Sequence, residues 1–214
     1  VVLKDLQDIL RKGEWNATAT VWMDKEIIKI EPGFVELSYG LAVDIGTTTV
    51  VFQLIDLLTG HALAGGALEN PQRFGGSDVM TRISYEHDFP GAMRLALRRG
   101  LNHELRDLYR ELGVDRHEVY EAVIVANSTM RDLYFGIDIG PIGEFPYKSV
   151  TEVAMLAGEA SSTWVRRRAH EVGLLMNPHG RVVGAPLIAS HVGADTAADL
   201  IAVDLVGQAE HGAT

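Results

Sequence analysis

Residues 41–58 read Leu-Ala-Val-Asp-Ile-Gly-Thr-Thr-Thr-Val-Val-Phe-Gln-Leu-Ile-Asp-Leu-Leu. Two apolar runs flank a short polar turn, and the second run alternates and is rich in Val, Ile and Phe, so the stretch predicts a β-hairpin. Glycine at the tip lets the backbone approach a ligand closely, and successive main-chain N–H groups in such a turn form a concavity that binds anions. Asp44 is suited to hold the water shell of Mg²⁺, which proteins bind through few carboxylates plus substrate phosphates. The turn therefore predicts a site for a nucleoside triphosphate with magnesium. The alternative is an ordinary turn in which Asp44 bonds to nearby backbone.

The composition is that of a globular chain with a negative net charge. At 214 residues, with 47% hydrophobic and 22% charged residues, the chain suits one or two domains with a real core. Its net charge of −10 argues against nucleic acid or an anionic membrane as the main partner. The chain has no Cys, which excludes disulfides and Cys-ligated clusters within it. With no apolar run of membrane-spanning length either, the expected location is cytoplasmic.

Residues 1–38 predict the end of a preceding linker or middle domain. A helix over 2–12 is followed by strands over 16–22 and 26–31, and the segment is too small to fold alone.

The second part of the chain, residues 39–214, predicts an α/β lobe. Three strands, over 40–46, 49–57 and 61–69, open it. Helices over 77–87 and 91–113 and a strand over 120–126 follow, and then a helix from Thr129, a strand over 181–190 and a helix over 194–205. The order predicts a mixed five-stranded sheet flanked by helices. Residues 137–158 show no clear period, and the run from Arg166 to Arg168 indicates a solvated face.

Polar residues also follow two of the later strands. Asn127, Ser128 and Thr129 come where a strand feeds a helix, which is where α/β folds place ligand groups. Capping of the helix by Asn127 or Ser128 is an equal alternative, and both roles can coexist. Asp195 opens the last predicted helix, where an acid is also favoured by the helix dipole.

Four blocks in this order resemble the ATPase domain of the ATP-dependent reductive activators of corrinoid proteins. They belong to the actin-like ATPase superfamily, which includes acetate and sugar kinases, heat-shock chaperones and actin and has a ribonuclease H-like fold. The blocks are 39–49, 70–83, 125–130 and 192–198. In the third block this chain has Ala126-Asn127-Ser128-Thr129-Met130, where the family usually has Gly-Asn-Thr-Thr-Met.

The resemblance implies the first lobe of such an ATPase. It implies that Gly46, Thr47, Thr48 and Thr49, with Asn127, Ser128 and Thr129, bind phosphate, that Asp44 holds Mg²⁺ through water, and that Asp195 lies on the metal side of the cleft. The parent would use ATP to return a Co(II) corrinoid protein of a methyltransferase system to Co(I). Lobe closure would drive this step, and the electron would come from a [2Fe–2S] cluster in a separate domain outside this sequence. Because the second lobe and the adenosine segment would also lie outside it, the chain alone is expected to be inactive. A homodimer is compatible with this interpretation.

Two other functions use the same hairpin. A sugar or carboxylic-acid kinase would need a catalytic carboxylate, for which Asp78 is the candidate. A non-enzymatic actin-like scaffold would use ATP to control assembly. Residues 70–82 are rich in turn and cap residues, so we expect a structured loop at the cleft or on a partner face, with Ser77 or Asp78 capping the helix that carries Arg82.

Overall fold

The computed structural model describes residues 4–188, 192–196 and 198. Its helices are α1 Leu6–Lys12, α2 Val79–Asp88, α3 Ala92–Leu112, α4 Ser128–Phe135, α5 Val150–Leu156 and α6 Ala169–Val172. Its strands are β1 Ala17–Trp22, β2 Glu26–Pro32, β3 Tyr39–Ile45, β4 Thr49–Asp56, β5 Ala62–Glu69, β6 Val119–Ala126, β7 Val165–Arg168 and β8 Arg181–Gly184. Short 3₁₀ helices cover Pro71–Gly75, Arg116–Glu118 and Gly140–Ile142.

Six strands form the main sheet, in the order β5-β4-β3-β6-β8-β7. The strands β3, β4 and β5 are antiparallel, β6 and β8 lie parallel to β3, and β7 returns antiparallel to β8. The predicted α/β class and mixed sheet are confirmed. The predicted count of five strands is corrected to six, since β7 is a short edge strand made largely of Arg residues.

Alternation along β3 and β4 creates the buried face of this sheet. Val43, Ile45 and Phe52 point into the core, whereas their neighbours Asp44 and Val51 point to the exposed face. The long helix α3 covers the buried face. Its stripe from Leu97 through Leu101 and Leu105 to Leu108 is buried, and Leu112, in the final residue of the helix, is 39% exposed. The stripe from Leu97 to Leu108 is therefore core packing.

The leading segment forms its own hairpin, β1–β2, which docks against the far end of the main sheet. The Glu26 carboxylate pairs with Arg168, at 2.8 Å, and with Arg181. The Arg181 guanidinium lies 4.8 Å from the centre of the Trp22 ring. Tyr120 donates its hydroxyl proton to Glu31 at 3.1 Å. These contacts involve the first residues of β6 and β8, so the hairpin lies at the sheet end opposite to the tip between β3 and β4.

A buried ion pair anchors the region after α4. Arg131 bonds to Asp132 at 2.7 Å with both side chains fully buried. The same guanidinium donates to the Thr163 carbonyl and to the Thr151 hydroxyl, and Ser149 donates to the other Asp132 oxygen at 2.6 Å. This network ties the segment around α5, which the sequence left without a prediction, onto α4. No helix in the described part of the chain has both the length and the apolar content needed to cross a membrane.

Candidate functional site

The tip of the β3–β4 hairpin is polar, whereas the strands on either side of it bury apolar side chains. Ile45 and Val50 are paired and fully buried at the base of the tip, while Thr48 and Thr49 are exposed. The tip is tight at Gly46, where an added Cβ would lie 2.6 Å from the Thr49 carbonyl oxygen. Only glycine fits this turn without a backbone shift.

Asp44 lies on the exposed face of β3, two residues before Gly46. Its register partners are Val51 on β4 and Val125 on β6. The carboxylate is therefore presented beside the tip, on the face of the sheet away from α3. The described residues contain no group of three or more His, Asp or Glu side chains placed to hold a metal ion. A single accessible carboxylate fits magnesium that keeps most of its waters and is otherwise held by phosphates.

The loop after β5 supports the tip from behind. Asn70 is fully buried, and its side chain donates to the Gly46 carbonyl at 2.7 Å. Its main-chain N–H donates to the Thr48 carbonyl, also at 2.7 Å. The Asn70 side-chain oxygen caps the Pro71–Gly75 helix by accepting from Gln72 N at 2.9 Å. One residue therefore fixes both the loop and the tip.

Arg82 provides the third contact to the tip. Its guanidinium donates to the Thr47 carbonyl at 2.7 Å, to the Gly76 carbonyl at 3.1 Å and to the Met130 sulfur at 3.0 Å. The residue is 1% exposed, and it takes part in none of the ion pairs found among the described residues. Burial lowers the pKa of the guanidinium, and the Asp78 charge opposes that shift. The sequence does not identify this role, because Arg is normally read as exposed.

The turn between β6 and α4 meets the tip from the other side. Asn127 caps α4 by accepting from Met130 N at 3.0 Å, and its Nδ2 donates to the Thr47 hydroxyl at 3.2 Å. The predicted capping role is therefore confirmed for Asn127, which also contacts the tip. Ser128 and Thr129 begin the helix and are buried, so they lie behind the exposed surface of the tip.

Residues 193–195 approach the same turn. A Cβ added to Gly193 would lie 2.2 Å from the Ala126 carbonyl oxygen, so the chain packs directly on the end of β6. Asp195 follows two residues later, and its Oδ1 accepts from Thr196 N at 2.8 Å. Residues 194–196 and 198 are helical, and the rest of the predicted helix over 194–205 lies outside the described residues. The structure thus brings this segment to the β6–α4 turn, whose Asn127 contacts the tip.

Residues 70–82 form the predicted structured loop and helix start, and Asn70 and Arg82 pack against the tip. Their position at a cleft stays a prediction. Gln72 and Arg82 are buried, so the partner-face interpretation is wrong for these two residues. Asp78 caps α2 through a hydrogen bond from Thr81 N at 2.9 Å, and this bond lowers the pKa of its carboxyl. That role accounts for Asp78 without a catalytic function.

A separate groove of about 950 Å³ lies between α2 and residues 136–144. Ile83, Leu133 and Ile139 give it apolar walls, and Glu86 and Arg94 contribute charges. None of the predicted site residues lines it.

Comparison with known proteins places this geometry in a family. The family model described as the RACo middle region matches residues 39–208. The chain belongs to the RACo family. The model of the RACo linker region matches residues 1–37, the segment that contains the β1–β2 hairpin.

A relative of known function and a solved structure are similar to this chain. The corrinoid activation enzyme RamQ of Eubacterium limosum is 30% identical over 166 residues, which is 76% of this chain and 26% of that protein. A solved structure of a reductive activator for corrinoid, iron–sulfur protein aligns with a TM-score of 0.77 and 33% identity, covering 91% of this chain and 31% of that one. The chain thus spans between a quarter and a third of the length of these relatives.

Proposed function

We propose that this chain is part of an ATP-dependent reductive activator and supplies the phosphate-binding hairpin of its ATPase unit. The observation that carries the proposal is the polar tip, Gly46–Thr49, at the end of two strands whose inward side chains are apolar and buried, in a RACo-family chain. Residues 39–214 would form the first lobe of the actin-like unit, and residues 1–38 would end the preceding linker domain. Gly46, Thr47, Thr48 and Thr49 would face the phosphates, while Asp44 and Asp195 would lie on the Mg²⁺ side.

The activator would return a Co(II) corrinoid protein to Co(I), which is the addition of one electron. That electron would come from a [2Fe–2S] cluster in another domain, and ATP would bias the conformational equilibrium of the partner. Such a bias is limited by the difference in binding free energy between the two states. The corrinoid chemistry in the names of the two relatives supports this partner. Service to a methyltransferase system, a homodimer and a cytoplasmic location are further parts of the proposal.

The test is ATP turnover by the complete activator that contains this chain. We expect Asp44→Ala or Thr47→Val to abolish ATP hydrolysis with little loss of stability, because both positions are at the edge of the fold rather than in the core. The control is Thr59→Val, the same change in the exposed turn at the other end of β4. Unchanged turnover in a well-folded Asp44→Ala protein would contradict the assignment.

A further inference from the structure

Three consecutive peptide groups at the tip turn their carbonyls the same way. The carbonyls of Gly46, Thr47 and Thr48 accept, in that order, from the Asn70 side chain, the Arg82 guanidinium and the Asn70 main chain. All three donors come from residues 70–82, and each bond is 2.7 Å long.

The geometry of the peptide bond determines the direction of the N–H groups on the side of the tip away from Asn70 and Arg82. These peptide groups are trans, and in a trans peptide the carbonyl and the N–H of the next residue point in opposite directions. The N–H groups of Thr47, Thr48 and Thr49 therefore point away from Asn70 and Arg82. Among the described residues, no main-chain carbonyl accepts from the main-chain N–H of Thr47 or Thr48. Neighbouring main-chain N–H groups directed to one side of a turn form the kind of concavity that binds an anion.

The positive charge of Arg82 also favours an anion at the tip. A buried cation without a carboxylate partner is costly, so it is retained only where other groups compensate it. Here two carbonyls and the Met130 sulfur contact the guanidinium. Through the Thr47 carbonyl, the guanidinium polarises the peptide whose N–H belongs to Thr48. A phosphate on the outer side would then complete the neutralisation.

We infer that Asn70 and Arg82 are positioning residues that hold the tip with the amides of Thr47, Thr48 and Thr49 directed toward a phosphate group. This inference rests on the proposed function, because it assigns the anion to the same hairpin. Neither residue touches the phosphate; each acts through a tip carbonyl. The loop over 70–82 is thereby part of the nucleotide site rather than a packing element alone.

The experiment is a titration of the ¹⁵N-labelled 214-residue chain with magnesium tripolyphosphate, followed by amide chemical shifts. In the wild-type chain we expect the Thr47, Thr48 and Thr49 amides to shift, and to exchange with solvent rapidly before the probe is added and more slowly afterwards. Asn70→Asp keeps the size of the side chain and the cap on Gln72 but removes the donor to Gly46. Arg82→Lys keeps the charge but loses the forked donor set. We expect each to weaken binding by on the order of tenfold, the scale of one hydrogen bond.

The control is Arg106→Lys, the same change at an exposed position of α3, which should leave the affinity unchanged. Urea unfolding of every variant separates loss of binding from loss of folded protein. Equal affinity of folded Asn70→Asp and Arg82→Lys chains with wild type would overturn the inference and leave the proposed function standing. Slow exchange of the Thr47 and Thr48 amides in the wild-type chain without the probe would also overturn it, whatever the variants do. A wild-type chain whose tip amides do not respond to the probe would also overturn the inference, whereas the proposed function is tested separately by ATP turnover of the complete activator.

Discussion

Glu86 lines the groove between α2 and residues 136–144, and its surroundings disfavour the charged form of its carboxyl. Its Oε1 accepts from Gly91 N at 2.6 Å, while its buried Oε2 has no partner among the described residues. Burial raises the pKa of the carboxyl, and the Gly91 bond and the Arg94 charge only partly oppose this. His87, Asp88, Asp138 and Glu144 are the other titratable groups that line the groove.

We expect the stability of the Glu86→Gln variant relative to wild type to increase as the pH rises. Because the folded-state pKa is raised, the contribution of the carboxyl is fully present below its unfolded pKa of about 4.3 and is lost as the pH rises through the folded value. The glutamine side chain of the variant has no such titration. The measurement is urea unfolding of both proteins at acid and neutral pH, with Glu111→Gln on the exposed face of α3 as control. A difference between Glu86→Gln and wild type that is independent of pH would contradict the expectation.

At this scale the sequence identifies groups by their chemistry but not by their surroundings. The tip residues Gly46 and Thr47 were recognisable because a polar turn interrupts two apolar runs. Arg82 was not, since its burial depends on acceptors from the hairpin and α4, which are distant in sequence. Asn70 opens the second block that resembles the activator family, but the sequence does not indicate its bonds to the tip.

The element that organises the core is α3, which lies across the buried face of the sheet. Its sequence places a leucine at every third or fourth position, so one stripe faces the sheet for several turns. The helix lies between Gly91 and Gly113, both in the left-handed region, as is common after a helix C-terminus. The Tyr109 hydroxyl at its end donates to the Leu175 carbonyl at 3.0 Å.

Two leucines of α3 give a matched test of this packing. Leu101→Ala should cost about 2–5 kcal/mol of the free energy of unfolding, because it opens a cavity in a fully buried layer. Leu112→Ala removes the same atoms from a position that is 39% exposed and should cost clearly less. Urea unfolding of both variants measures the difference. Similar losses at the two positions would show that α3 does not pack as described.

The sequence predicts most elements to within two residues, because alternation and helical period are local signals. The first helix, predicted over 2–12, is observed as Leu6–Lys12, and α5 and β7 were not predicted. The last parallel strand, predicted over 181–190, is observed as Arg181–Gly184. Ala185 still bonds to Ile124 in β6, but Pro186 has no N–H to continue a ladder. The apolar residues beyond it leave the sheet, which an apolar run alone does not reveal.

At the scale of the whole molecule, the β1–β2 hairpin (the linker hairpin) and the tip of the β3–β4 hairpin lie at opposite ends of the main sheet. Seven residues of β3 separate them, which is about 20 Å of extended chain. Glu26 holds the linker hairpin through two Arg residues of β7 and β8. These pairs are partly exposed, so each contributes no more than about 1 kcal/mol.

We expect Glu26→Gln to loosen the linker hairpin without unfolding the main sheet. Amide hydrogen exchange in β1 and β2 should become faster, and that in β3 and β6 should not change, because the core of the sheet does not include Glu26. High salt should produce a similar change in the wild-type chain. The control is Glu14→Gln, an exposed residue of the same segment. Equal acceleration in β1 and β6 would indicate one cooperative unit instead.

We further expect the isolated 214-residue chain to bind MgATP weakly and not to hydrolyse it at a useful rate. Preorganised stabilisation of phosphate charge requires donors on both sides of a cleft, and this lobe supplies one side. Calorimetry with MgATP and an assay of phosphate release check this. Micromolar affinity with steady turnover would show that the site is complete in this chain.

The sequence predicts the strands of the main sheet except the edge strand β7. Strands β3 to β6 and β8 are apolar runs and were predicted, whereas β7 contains three Arg residues and reads as a solvated segment. That interpretation holds for Arg166 and Arg167, which are exposed. Arg168 is instead paired with Glu26, and no local sequence pattern predicts a partner so distant in the chain.

The charges on β7 bear on how copies of this chain can associate. Within the described residues the sheet has two edges, β7 and β5. Exposed Arg166 and Arg167 repel a second strand at the β7 edge, whereas β5 is built mainly of Ala, Gly and Leu. If copies of this chain associate by strand addition, the charges therefore favour the β5 edge. Pairing of β5 with its own copy is two-fold and closes after two molecules, so a single guarded edge prevents an open-ended fibre.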